Sequence, residues 1–165
     1  MADDMTAANA LAMAEGAIFA DEVKGFLSSI DDPSIYRPLE LPGQEWARFI
    51  LGGKDNPAAP QVWIVKLPPN FVVPRHYHKT NRLEVMLRGS YTLDGKERGA
   101  GAITFFTANE VYGPIVIGPE GGITREVFST GIDMGPIFTE EVSPDTYANL
   151  ARMGMTPRFE TGAKG

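Results

Sequence analysis

Apolar and polar positions alternate along most of this chain in short runs, each closed by turn residues. Apolar or β-branched runs fall at 46–51, 61–67, 82–87, 91–93, 103–106, 115–117 and 123–128. Their period of two and their bounding glycines and prolines predict at least seven short strands. Asp94-Gly95, between Tyr91-Thr92-Leu93 and Lys96-Glu97-Arg98, carries the signature of a type I′ hairpin, whose central residues must accept positive φ. Residues 118–122, Gly-Pro-Glu-Gly-Gly, predict a second hairpin loop. Helical spacing occurs only towards the ends. Phe19, Val23, Phe26 and Leu27 predict a short amphipathic helix over 21–27. Ser143-Pro144-Asp145 supplies an N-cap, a first-turn proline and a dipole-matching carboxylate. That second helix is expected to stop at Gly154 and to dock through Tyr147 and Leu150. Strands with no helix between them argue for an antiparallel sandwich or barrel with Greek-key connections.

At 165 residues the chain is expected to form one domain, over 16–157, with a tail at 1–15 and another at 158–165. Hydrophobic residues at 43% against 22% charged imply a packed core. Fifteen lysines and arginines against 21 acidic residues give a net charge of −6, which repels nucleic acid. No apolar run approaches the ~18 residues of a membrane span, and Met1-Ala2-Asp3-Asp4 is not the positive start of a secretory leader. A cytoplasmic protein with no membrane partner is expected. With no cysteine, any metal must be held by nitrogen or oxygen.

The chain has two histidines, His76 and His78. On a strand, residues two apart point to one face, so both imidazoles would look into one space and could serve one metal ion. A pair on an exposed strand edge is the alternative.

Their surroundings narrow the choice. Pro74-Arg75-His76-Tyr77-His78, followed by Arg82-Leu83-Glu84 and later Gly89, resembles the first motif of the cupin family, an HxH pair followed by glutamate and then glycine. Gly101 through the Phe105-Phe106 strand to Tyr112-Gly113-Pro114 resembles the second motif, which leads to a third histidine. The two motifs cover residues 68–129. The resemblance implies an all-β fold, a cupin-type jelly-roll β-barrel with short N-terminal and C-terminal helices.

Two of the four ligand positions of the resemblance differ here: Arg82 stands at the glutamate position and Tyr112 at the third histidine position. If His76, His78 and Arg82 face inward as the resemblance implies, parity turns Glu84 and Met86 inward too, while Leu83, Val85 and Leu87 face outward. That outward stripe wants a cover, either the N-terminal helix or a second subunit, so a homodimer is expected. Glu84 either completes a ligand set or pairs with Arg82. Tyr112 either ligates as a phenolate or acts as a neutral donor.

Three functions remain open. The first expectation is a metal-assisted enzyme, a dioxygenase, lyase or isomerase of a small oxygenated or acidic compound. His76 and His78 would hold iron, manganese, nickel or zinc, Glu84 or Tyr112 would add a ligand, and Arg82 would clamp a carboxylate. The second is a metal-free isomerase with a histidine base and Tyr112 as acid. The third is a binding or sensor module for a small molecule. Phe71, Phe105, Phe106 and Phe128 would suit an apolar ligand body, or be core.

Overall fold

The computed structural model describes residues 16–19, 29–153, 155 and 158–160. The tail expected at 1–15, the helix expected over 21–27 and the stop at Gly154 lie outside the described residues.

The strands are β1 (Ile18–Phe19), β2 (Arg37–Pro38), β3 (Glu45–Ile50), β4 (Gln61–Leu67), β5 (Val72–Val73), β6 (His76–Tyr77), β7 (Arg82–Leu93), β8 (Lys96–Gly99), β9 (Ile103–Phe106), β10 (Ile115–Phe128), β11 (Ile137–Phe138) and β12 (Arg158–Phe159). A single turn of 3-10 helix spans Pro33–Ile35, and the helix α1 spans Pro144–Arg152. Two sheets form: β1-β3-β4-β10-β7-β8, with β2 on β3, β5 on β10 and β9 on β7, and a small sheet β12-β11-β6. Apart from the parallel β1–β3 and β11–β12 pairs, the ladders are antiparallel. The protein is an all-β jelly roll.

Turn chemistry explains the Asp94-Gly95 hairpin, where both residues take positive φ, 52° and 70°. Residues 118–122 do not form the expected loop. They run inside β10, which pairs with β7 across an irregularity between Ile117 and Gly122. The glycines there serve close approach instead of a turn. Gly89, at φ 76°, lies so near the Gly121 carbonyl that an added Cβ would sit 2.0 Å from its oxygen. A glycine cluster therefore bends two long strands around the inner space, where the sequence suggested four shorter ones.

Alternation along β7 places Arg82, Glu84 and Met86 inside, with Leu83, Val85 and Leu87 half-buried outside. Across from Leu83 and Val85, the β9 residues Phe105 and Ile103 are 64% and 69% exposed. Phe105 is therefore not core, and it does not line the cavity of the histidines. Phe128 is fully buried. One apolar cluster gathers Trp46, Trp63, Phe128, Met134, Phe138 and Leu150 under α1. Another gathers Met86, Tyr91, Phe106, Tyr112 and Ile117.

Ser143 caps α1 by accepting the Thr146 amide, and Leu150 docks as expected. Tyr147 does not dock: it is 41% exposed and packs on Phe159. Asn149 takes its place, donating to Gln44 and accepting from the Glu40 amide. Arg158–Phe159, within the expected tail, instead pairs with Ile137–Phe138, and Arg158 is anchored on Asp133. Among the described residues no helix is long and apolar enough to cross a membrane.

Candidate functional site

Strand pairing brings both histidines inside. His76 exchanges backbone hydrogen bonds with Tyr112 on one side and pairs with Phe138 of β11 on the other. His76 and His78 are 4% and 5% exposed, with ring centroids 5.1 Å apart. Arg82 enters from β7, and Glu126 from β10, whose register sets Glu126 opposite Glu84.

The acceptors fix both tautomers. His76 Nδ1 lies 2.7 Å from the Pro74 carbonyl, which can only accept, so the proton sits on Nδ1 and Nε2 carries a lone pair. Tyr112 donates its hydroxyl proton to that Nε2 at 2.8 Å, and accepts from Arg82 Nη2 at 2.7 Å. The result is a directed chain, Arg82 to Tyr112 to His76 to Pro74. His78 likewise donates from Nδ1 to the Met134 carbonyl, which leaves its Nε2 a bare, buried acceptor with no partner among the described residues.

Burial first, then the Arg82 charge, lower the pKa of His76 to about 3 and hold His78 well below the usual imidazole range. Both rings are neutral near pH 7. Burial raises the Tyr112 phenol well above its ordinary value, so it remains a neutral phenol and not a phenolate ligand. Burial works against the charge on Arg82, but the Glu126 and Glu84 carboxylates outweigh it and raise its pKa. Arg82 Nη1 donates to Glu126, while Glu84 lies 3.6 Å from Nη2. Burial pushes Glu84 up to about 7, with Arg82 opposing. Arg82 also stacks 4.4 Å above Phe106.

These contacts bear on each role left open by the sequence. The two terminal nitrogens of Arg82 are engaged inside the protein, so a clamp for a substrate carboxylate would have to displace them. The Tyr112 proton is committed to His76. Glu84 pairs with Arg82. A divalent ion does not fit the donors as arranged: His76 Nε2 is taken by Tyr112, and among the described residues no group of three or more His, Cys, Asp or Glu is placed to hold a metal. Arg82 aggravates the mismatch, since a divalent ion ~4 Å from a guanidinium at an effective dielectric near 20 meets a repulsion of roughly 8 kcal/mol.

The histidines open on a cavity of about 140 Å³. Its walls are apolar, chiefly Trp63, Leu67, Phe71, Phe138, Leu150 and Met155, and its polar floor is His76, His78, Arg82 and Glu126. Glu126 was not singled out from the sequence. The signal was there in the parity of 123–128, which puts Thr124, Glu126 and Phe128 on one face. Met134, which orients His78 through a carbonyl, left no signal in its side chain.

No protein-family model matches the sequence, and no curated protein matches it. Solved structures do match. The polyketide cyclase RemF from Streptomyces resistomycificus is 19% identical with a TM-score of 0.53, over 82% of this chain and 100% of that one. Oxalate decarboxylase from Bacillus subtilis is 18% identical with a TM-score of 0.50, over 68% of this chain and 32% of that one. An RmlC-like cupin from Shewanella frigidimarina is 15% identical with a TM-score of 0.46, over 64% of this chain and 92% of that one. The chain spans 27% to 32% of the length of the oxalate decarboxylases it matches. At these identities the likeness lies in the fold.

Proposed function

The chain is a cupin-fold protein, and from that premise we propose that it binds a small, uncharged, largely apolar compound bearing a hydroxyl, without a metal ion. The observation that carries this reading is the bare, buried Nε2 of His78, a residue that lines an apolar cavity. A buried acceptor left without a donor costs about 1–3 kcal/mol, and a ligand hydroxyl removes that penalty. A cavity near 140 Å³ is about the size that takes a benzene ring. The charged groups beneath it already pair with one another, so an anionic ligand gains little from Arg82 and meets Glu126.

Binding is favoured over acid–base catalysis by the same electrostatics. A proton taken by His78 would create a buried imidazolium beside Arg82, the state that burial and the guanidinium disfavour. Hydrogen-bond recognition needs no such charge.

The reading is tested by calorimetric titration with p-cresol, toluene and p-toluate, three rings of one shape. Wild-type protein is expected to bind p-cresol about tenfold more tightly than toluene and to exclude p-toluate. His78→Leu is expected to bind toluene and p-cresol alike. Treatment with a chelator, or addition of zinc, is expected to leave p-cresol affinity unchanged. Preference for p-toluate, or binding that depends on added metal, would overturn it.

A further inference from the structure

Beneath the apolar cavity lies a second, smaller chamber of about 50 Å³, lined by Leu67, Val73, His76, Arg82, Glu126, Glu84, Tyr91, Ile115, Ile117 and Thr124. It shares the first five of these walls with the outer cavity. Of the five buried side-chain polar atoms that lack a partner among the described residues, three belong to this chamber's lining: Arg82 Nε, Glu84 Oε1 and Thr124 Oγ1. Each of those residues is 4% exposed. Buried polar atoms are normally satisfied, so three of them around one void mark a place built for a polar guest.

Their chemistry specifies that guest. Arg82 Nε can only donate, Glu84 accepts without donating once its carboxyl ionises above about pH 7, and the Thr124 hydroxyl can do either. A carboxylate would satisfy Arg82 but confront Glu84. An ammonium would satisfy Glu84 but leave Arg82 Nε unmet and stand beside its charge. A hydroxyl donates and accepts at once and leaves neither conflict. The chamber has room for such a group, since a void needs only roughly 10–15 Å³ to hold a water-sized occupant.

Resting on the binding reading above, we infer that the ligand is a dihydroxy compound: one hydroxyl donates to His78 Nε2 in the outer cavity, and a second enters the inner chamber between Arg82, Glu84 and Thr124. Both hydroxyls leave one apolar body, which the outer walls enclose.

The test compares phenol with catechol, resorcinol and hydroquinone by calorimetry on the full chain. At least one of the three is expected to bind about tenfold more tightly than phenol, the isomer whose hydroxyl spacing spans the two chambers. Thr124→Val, which keeps the shape and removes the hydroxyl, is expected to abolish that gain while leaving phenol affinity in place. Thr124→Ser is expected to restore it. Phenol binding with no gain for any isomer, or a gain that survives Thr124→Val, overturns the inner subsite alone and leaves the chamber to ordered water. Absence of phenol binding overturns the outer reading and the subsite with it.

Discussion

Acidification from pH 7 to pH 5 is expected to cost the protein on the order of 2 kcal/mol of stability, and the next unit of pH about as much again. His76 and His78 are held neutral in the folded state, with pKa values lowered from 6.5. The unfolded chain therefore binds protons below pH 6.5 that the folded chain refuses. Stability supplied by these two groups is intact above pH 6.5 and is lost as pH falls towards their folded values, about 1.4 kcal/mol per unit for each histidine. Glu84 works in the opposite direction. Its pKa rises from 4.5 to about 7 on folding, so it favours the folded state at low pH and withdraws that support as pH climbs from 4.5 to 7. Two histidines outweigh one carboxyl, and the net slope follows the histidines. Urea titrations from pH 4 to 8 measure it. Glu84→Gln is expected to steepen the loss between pH 7 and 5, and a His78→Gln variant to flatten it. A wild-type profile flat across that range would contradict the burial and neutrality of both rings.

Arg82→Met is expected to destabilise the protein by about 3–5 kcal/mol at pH 8, the usual consequence of removing one member of a buried ionic group. Glu126 loses its hydrogen-bonded partner, Glu84 its counter-charge, and Tyr112 the donor that orients it. In that variant the two carboxyls face each other across the β7–β10 ladder without a cation. The folded pKa of Glu84 rises further, so the folded variant is favoured at low pH and loses support as pH climbs above the unfolded value near 4.5. The gap between wild type and variant is therefore expected to narrow from pH 8 to pH 5. Adding Glu126→Gln is expected to recover part of the loss at pH 8. Urea titration at both pH values decides the matter. A gap under about 1 kcal/mol, or one that does not change with pH, would show that Arg82 is not the hub of a buried charge cluster.

Much of this arrangement was legible before any coordinates. The resemblance turned His76, His78 and Arg82 inward, and strand parity carried Glu84 and Met86 with Arg82, because a period of two is a local property and survives into the fold of β7. The Asp94-Gly95 turn and the Ser143 cap were legible for the same reason. The glycines of 118–122 misled, since glycine signals both turns and close backbone approach, and only the neighbouring strand reveals which. Here that neighbour is Gly89, 32 residues before Gly121 in the chain. Phe105 and Phe106 share a composition and split in fate, one exposed and one under Arg82, because β9 alternates like any strand. The hydrogen-bond chain was beyond sequence altogether. Which nitrogen of His78 is free depends on the Met134 carbonyl, a backbone atom 56 residues away whose position no side-chain pattern encodes.

That free nitrogen is best examined directly. Because the chain has two histidines, a long-range proton–nitrogen correlation spectrum of ¹⁵N-labelled protein contains just two imidazole patterns. At pH 6 both are expected to be neutral and protonated on Nδ1, with the His78 Nε2 resonance at the position of an unprotonated nitrogen and shifting when phenol is added. An imidazolium pattern for His78, a proton on its Nε2, or a resonance indifferent to phenol would contradict the bare acceptor on which the proposed pocket chemistry depends.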